Sequence, residues 1–157
     1  DEQWAMDFVS DSLMGGRRIR ILTIADLWDR SNPTLEVNMS LPGVRVVRVL
    51  ERLRLQGRLP QRIKVDNGPK YISARLQNWV RRRGIRLRYI QPGNPQQNGY
   101  IERYNRTVRY DWLNQYLFES LEEIQNFATA WLWSYNNERS NMGIGGITPA
   151  MKLAQVS

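Results

Sequence analysis

The chain has 157 residues, 41% of them hydrophobic and 24% charged, a size and balance that fit one globular domain with a real core. It contains no histidine and no cysteine, which excludes disulfides, thiolate metal sites, zinc hydrolase centres and Ser-His-Asp triads; any catalysis is left to carboxylates, lysine, tyrosine or a metal held by oxygen ligands. Lysine and arginine number 23 against 15 acidic residues, a net charge of +8 that is mostly arginine; this suits a polyanionic partner such as nucleic acid, with an indifferent basic surface as the alternative.

In chain order, QWAMDFVS (Gln3–Ser10) alternates, with Trp4, Met6 and Phe8 on one side and Ala5, Asp7 and Val9 on the other, as a strand does. A Gly-Gly turn leads to a second strand over Ile19–Trp28, and TLEVNM gives a third, so the three form an antiparallel meander. The period then changes: Val44, Val47, Leu50, Leu53 and Leu55 mark a helix closed by Gly57. RIKVD is a fourth strand, ISARLQNWVRRRG a helix stopped by Gly84, and IRLRYI a fifth strand. The turn-rich QPGNPQQNG (Gln91–Gly99) is expected to be a mobile loop. A long helix over residues 100–117 carries Ile101, Tyr104, Val108 and Trp112 on one stripe. A second follows Ser120, with Glu123 placed for a capping box, and TPAMKLAQ opens a short terminal helix with Pro149 in its first turn. Trp79, Trp131 and Trp133 fall at periodic apolar positions and read as core or interface. This order predicts a five-stranded mixed sheet flanked by helices, the α/β architecture of ribonuclease H-like domains. No run is long and apolar enough to cross a bilayer and no signal-peptide pattern opens the chain. One domain over residues 1–157 is expected, and the start on Asp1 rather than Met predicts a fragment of something longer.

Three carboxylates stand apart from ordinary surface charge. Asp7 lies mid-strand beside Ala5 and Val9, where a carboxylate is costly to bury unless it is paired or binds a metal. Asp66 closes a strand at the lip of the Asn67-Gly68 turn, and ligand sites in crossover sheets gather at the carboxyl ends of strands. Glu102 sits one turn into a helix, with 35 residues between it and Asp66. Three such groups suit a hard divalent cation such as Mg²⁺ or Mn²⁺, in one or two sites. Each also has a plain alternative: an arginine partner for Asp7, a turn cap for Asp66, a helix-dipole charge for Glu102.

The segments WAMDFVSD, VDNGPKY and QPGNPQQNGYIERYNRTVR resemble the catalytic core of retroviral-type integrases and insertion-sequence transposases, in the orfB branch. The closing YNNERSNMGIGGITP is similar to the family's YNxxRPHxxLxxxTP pattern, and the resemblance covers nearly the whole chain. It implies that Asp7, Asp66 and Glu102 are the catalytic and metal-binding acidic triad. It further implies two Mg²⁺ (or Mn²⁺) ions, a DNA partner at element ends and target, self-association, no membrane, no small-molecule cofactor, and a bacterial cytoplasmic setting at the nucleoid. The implied activity is end cleavage followed by strand transfer; a hydrolytic nuclease of the same fold and a non-catalytic DNA-binding or assembly module are the alternatives. Lys70 stands where the family often has an acidic residue, Ser140 where it has proline and Asn141 where it has histidine, departures that leave the triad whole.

Around the triad, Glu102, Arg106 and Arg109 share a helix face, so the arginines either hold DNA phosphates or form an intrahelical pair with Glu102. Asn98 and Asn105 flank the glutamate and either contact DNA or stabilise the helix start. Lys70 is a further candidate DNA contact. The basic runs RRRG (Arg81–Gly84) and ERLRLQGR are phosphate-binding faces or solvated helix surface.

Overall fold

The computed structural model describes residues 2–66, 73–90 and 99–155, with the side chain of Asp66 outside that set. Five strands form one sheet in the order β3-β2-β1-β4-β5: β1 (Gln3–Ser12), β2 (Arg18–Asp26), β3 (Leu35–Asn38), β4 (Arg62–Asp66) and β5 (Arg86–Ile90). β1 pairs antiparallel with β2 and β2 with β3, while β4 joins β1 and β5 joins β4 in parallel. The parallel pairs require crossovers, which α1 (Gly43–Leu55) and α2 (Ala74–Arg82) supply. Three more helices follow: α3 (Gly99–Val108), α4 (Leu121–Asn137) and α5 (Pro149–Ala154). This is the expected mixed sheet with helices on its faces.

The alternation read in β1 divides the core into two layers. Trp4 and Met6 pack with Leu22, Ile24 and Ile63 against α1 and α2. Ala5 and Val9 pack with Ile21 and Ala25 against α3 and α4. Asp7 belongs by alternation to the second layer, where an apolar residue would otherwise sit.

Helix ends follow the turn chemistry. Gly57 (φ 88°) and Gly84 (φ 70°) adopt the left-handed conformation, and each closes its helix with paired backbone bonds, Gly57 N to Arg54 O and Arg58 N to Leu53 O in α1, Gly84 N to Arg81 O and Ile85 N to Val80 O in α2. Ser120 Oγ accepts from Glu123 N at 3.2 Å at the start of α4, while the Glu123 carboxylate accepts from Glu119 N rather than from the cap residue itself.

Several expectations are corrected. β1 runs on to Ser12, and β2 stops at Asp26 rather than Trp28, because Asp26 Oδ1 accepts from Trp28 N and Asp29 N and turns the chain. The buried stripe of α1 is Val46, Val49, Leu50 and Leu53; Val44 and Val47 lie on its margin and Leu55 is 74% exposed. The long helix over residues 100–117 ends as regular α-helix at Val108 and widens into a π-helical turn over Arg109–Leu113, with Asn114 N bonded to Arg109 O. That turn buries Trp112 and Leu113. Trp133 is 60% exposed and is not a core residue, whereas Trp79 is buried and Trp131 packs at the core edge. Residues 91–98 of the expected loop lie outside the described residues, and Gly99 already belongs to α3.

Candidate active site

The site is built where β1, β4 and α3 meet. Met6 pairs with Val65 in the parallel β1–β4 register, so Asp7 and Asp66 stand one residue further along on neighbouring strands. Asp66 is also the last residue of β4, paired with Ile90 of β5, and so marks a carboxyl end of the parallel sheet. These are positions of the backbone; the Asp66 side chain lies outside the described residues.

α3 lies over β1. Asn105 Nδ2 donates to Asp7 Oδ2 at 2.9 Å, and one helical turn later Arg109 donates from its guanidinium to the carbonyl of Ser10 at 3.2 Å. Helix and strand therefore advance together, Asn105 over Asp7 and Arg109 over Ser10. Glu102 is one turn before Asn105, about 4.5 Å back along the helix axis, on the same face. It is exposed, as an acidic ligand open to solvent and substrate needs to be. Asp7 is half-buried, and its backbone carbonyl also accepts from Thr23 Oγ1 of β2 at 3.2 Å, so strand and side chain are both held.

The surrounding residues sort differently from their spacing in the sequence. Asn105 sits in mid-helix, not at the helix start, and its amide N–H is engaged by Asp7; its Oδ1 is buried without a partner among the described residues. Arg109 is half-buried against β1, while Arg106 is exposed. Among the described residues Glu102 and Arg106 form no ion pair with each other, and Arg106 is left to face solvent. Asn98 and Lys70 lie outside the described residues. The run ERLRLQGR is largely engaged in structure, with Arg54 pairing with Glu51 at 2.5 Å and Arg52 with Glu36 at 2.9 Å, whereas in RRRG Arg83 reaches Glu51 at 3.4 Å and Arg81 and Arg82 are exposed. Arg58 reaches the buried Asp26 and Asp29 at 3.6 and 3.9 Å. Hydrogen bonds from Arg54 and from the Trp79 indole hold the Glu51 carboxyl down to about 2.

The donor set fits a hard cation. Carboxylates and an amide are oxygen donors, the chain holds no thiolate or imidazole, and Asp7 is already oriented by a hydrogen-bonded neighbour, as metal-ligating carboxylates are. Among the described residues no three carboxylates form a metal-binding group; the expected trio includes the undescribed side chain of Asp66.

One cluster was not anticipated from the sequence. On another side of α3, Tyr100, Arg103 and Tyr104 face Arg30, Tyr135 and Arg139 across a cleft of about 300 Å³. Tyr100, Arg103, Tyr104, Tyr135 and Arg139 lie within the motif segments but Arg30 does not, and the fold brings them together from three distant segments.

The family model described as "Integrase core domain" matches residues 1–95, and a second model of that description matches residues 83–149. An uncharacterized 39.2 kDa protein of insertion element IS476 from Xanthomonas euvesicatoria is 35% identical over 98% of this chain and 44% of its own length. An uncharacterized 31.7 kDa protein of insertion element IS407 from Burkholderia multivorans is 33% identical over 96% of this chain and 54% of its own length. The chain spans about half the length of these curated relatives. Among solved structures, the HTLV-2 integrase catalytic core domain in complex with magnesium superposes with a TM-score of 0.74 at 20% identity, covering 96% of this chain and 94% of that one. The catalytic core domain of BIV integrase gives 0.70 at 23% identity, covering 99% and 95%. At those identities the likeness establishes the ribonuclease H-like fold.

Proposed function

From the premise that this chain belongs to the integrase core domain family, in its insertion-sequence branch, we propose that it is the catalytic core of a DNA transposase. In that role it cuts a phosphodiester at an element end and joins the freed 3′-hydroxyl to target DNA. The observation that carries this reading is the convergence of Asp7 and the Glu102-bearing face of α3, linked by Asn105, beside the register position of Asp66. Among the described residues of a chain without histidine or cysteine, no other constellation offers comparable chemistry.

Asp7 and Asp66 would hold one Mg²⁺ or Mn²⁺, and Asp7 and Glu102 a second. Bound ions of this kind supply a nucleophile at neutral pH and stabilise the leaving oxygen. The protein's own part is positional. β1 and β4 fix the two aspartates, Asn105 orients Asp7, and the exposed Arg106 lies one turn beyond Glu102 on the solvent side, where a phosphate can reach it. Lys70, four residues after Asp66 in the chain, and Asn98, four before Glu102, are proposed DNA contacts. Strand transfer exchanges one phosphodiester for another, so it needs neither a covalent protein intermediate nor an external energy source. The DNA partner, self-association and action at the bacterial nucleoid belong to the same proposal. Among the described residues no helix is long and apolar enough to cross a membrane.

Incubating the protein with labelled element-end DNA and Mn²⁺ tests the reading. Joined products are expected, and Asp66→Asn should abolish cutting and joining while still retarding the DNA. Cut but unjoined DNA would make the protein a hydrolytic nuclease. Shifted, intact DNA would make it a binding module, and full activity in Asp66→Asn would remove the triad from the mechanism.

A further inference from the structure

We propose that the cleft between α3, the β2–β3 loop and the segment after α4 is a second nucleic-acid site that binds a backbone phosphate of the DNA through Arg30, Arg103 and Tyr104. It rests on the nucleic-acid reading above for its partner but not on the carboxylate chemistry. Around α3, Arg103 is turned about 100° from Glu102 and Tyr100 and Tyr104 about 160°, so the cleft is separate from the acidic site.

Four observations carry it. First, among the described residues the cleft is lined by three guanidinium groups, from Arg30, Arg103 and Arg139, and by no carboxylate. Arg139 is paired with Asp111 of the π-helical turn, but Arg30 and Arg103 form no ion pair among the described residues. Two uncompensated cations facing one hollow create a local field that favours an anion.

Second, two donors inside it lack partners. Tyr104 is only 2% exposed, yet its hydroxyl is buried without a hydrogen bond, and Arg30 Nε is likewise buried without one among the described residues. Unpartnered buried donors are uncommon in folded proteins and call for an explanation; an anion seated in the cleft satisfies both. Burial pushes the hydroxyls of Tyr100, Tyr104 and Tyr135 above their ordinary value, so all three stay neutral and put no negative charge opposite the arginines.

Third, the cleft is built, not incidental. Arg30 stands in the left-handed conformation at φ 63°, which an arginine adopts only where its surroundings enforce it. They do so through Asp26 Oδ1, which accepts from Trp28 N and Asp29 N, through Asp29 Oδ1, which accepts from Ser31 N at 2.8 Å, and through Asn136 of α4. The Asn136 amide accepts from Asn32 N at 2.9 Å and donates to Asn32 O at 3.0 Å. The Arg30 guanidinium then lies over the Tyr100 ring at 4.2 Å, and the Tyr100 hydroxyl is hydrogen-bonded to that of Tyr135 at 2.8 Å.

Fourth, a volume of about 300 Å³ accepts a phosphate together with part of its flanking sugar. The net charge of +8 favours a polyanion as the source over a free phosphate ion.

The test measures binding of a fluorescein-labelled oligonucleotide in EDTA across a series of KCl concentrations, for the parent, Arg103→Gln and Tyr104→Phe. Arg103 is exposed and Tyr104→Phe keeps the ring, so both variants fold, which circular dichroism checks. Arg103→Gln is expected to weaken binding uniformly across sequences and to lower the slope of log K against log salt by about one. Tyr104→Phe is expected to weaken binding about tenfold with the slope unchanged, as loss of one hydrogen bond to a charged group does. A parallel titration with inorganic phosphate at constant ionic strength follows tryptophan fluorescence. Parent-like DNA affinity and slope in both variants overturn the proposal. If the variants lose a response to inorganic phosphate but keep their DNA slope, the cleft takes a free phosphoryl group, which overturns the DNA assignment. The transposase reading is judged separately: loss of cleavage in Asp66→Asn beside parent-like DNA binding by Arg103→Gln would sink this inference alone, whereas a parent that binds no DNA at any salt would sink both.

Discussion

Replacing Asn105 with alanine isolates what α3 does for Asp7. The amide donates to Asp7 Oδ2 at 2.9 Å, and a hydrogen bond to a charged acceptor contributes about 1.5–3 kcal/mol. At 1.4 kcal/mol per factor of ten, its loss corresponds to about a 10- to 100-fold change in any equilibrium that requires Asp7 in this orientation. Removal of a partner that orients a metal ligand has an effect of about the same size. The assay is calorimetric Mn²⁺ binding together with the Mn²⁺ dependence of DNA cleavage. Asn105→Ala should raise the metal midpoint about 10- to 100-fold and recover most of the parent rate at saturating metal. Asn105→Asp places a second carboxylate against Asp7; it should melt below the parent in EDTA and gain more from added Mn²⁺ than the parent does. If Asn105→Ala binds Mn²⁺ as tightly as the parent and follows the same cleavage curve, Asp7 does not depend on α3 and the reasoning fails.

Three further outcomes follow from the geometry. Glu51 accepts from the Trp79 indole at 2.9 Å and from Arg54 Nε at 3.0 Å, and its carboxyl is held down to about 2 from an ordinary 4.5. A depressed folded value means stability that is present above pH 4.5 and lost as pH falls toward 2; Trp79 fluorescence should report that loss, and Glu51→Gln should flatten it. A Cβ on Gly43 would stand 2.5 Å from Ser73 Cβ and closer still to Oγ, the atom that caps α2 by accepting from Leu76 N at 3.1 Å. Gly43→Ala should therefore lower the urea midpoint by an amount equal to about 2–4 kcal/mol, combining a lost cap with overpacking, at constant m-value. Tyr100, Tyr104 and Tyr135 are raised above 10.0 mainly by burial, so native tyrosinate absorbance should fall short of the full seven residues until unfolding. Stability should decline above about pH 10 as the unfolded chain releases protons that the native state keeps.

What the sequence made legible was what lay within one element. The alternation in β1 put Asp7 opposite Trp4 and Met6, RIKVD ended on Asp66, and Gly57, Gly84 and Ser120 set helix ends through local backbone chemistry. The stripe of α1 is not legible in the sequence because valine and leucine occupy both its core face and its margin, and only the tertiary partner distinguishes Val46 from Val44. The π-helical turn is invisible in the sequence because it breaks the period by which helices are recognised. Asn105 is near Glu102 in the chain, but its partner is Asp7, 98 residues away. The cleft around Arg30 was illegible for the same reason: the Tyr100 hydroxyl meets Tyr135 across 35 residues and the Arg30 carbonyl across 70, and no local pattern encodes that meeting.

The central claim, that three carboxylates share divalent ions, is tested most directly by crystals grown with Mn²⁺ and measured for anomalous scattering. The account predicts anomalous peaks bridging Asp7 to Asp66 and Asp7 to Glu102, at oxygen distances of about 2.0–2.2 Å. Peaks bound elsewhere, or an Asp66 carboxylate turned away from an ion held by the other two, would contradict it.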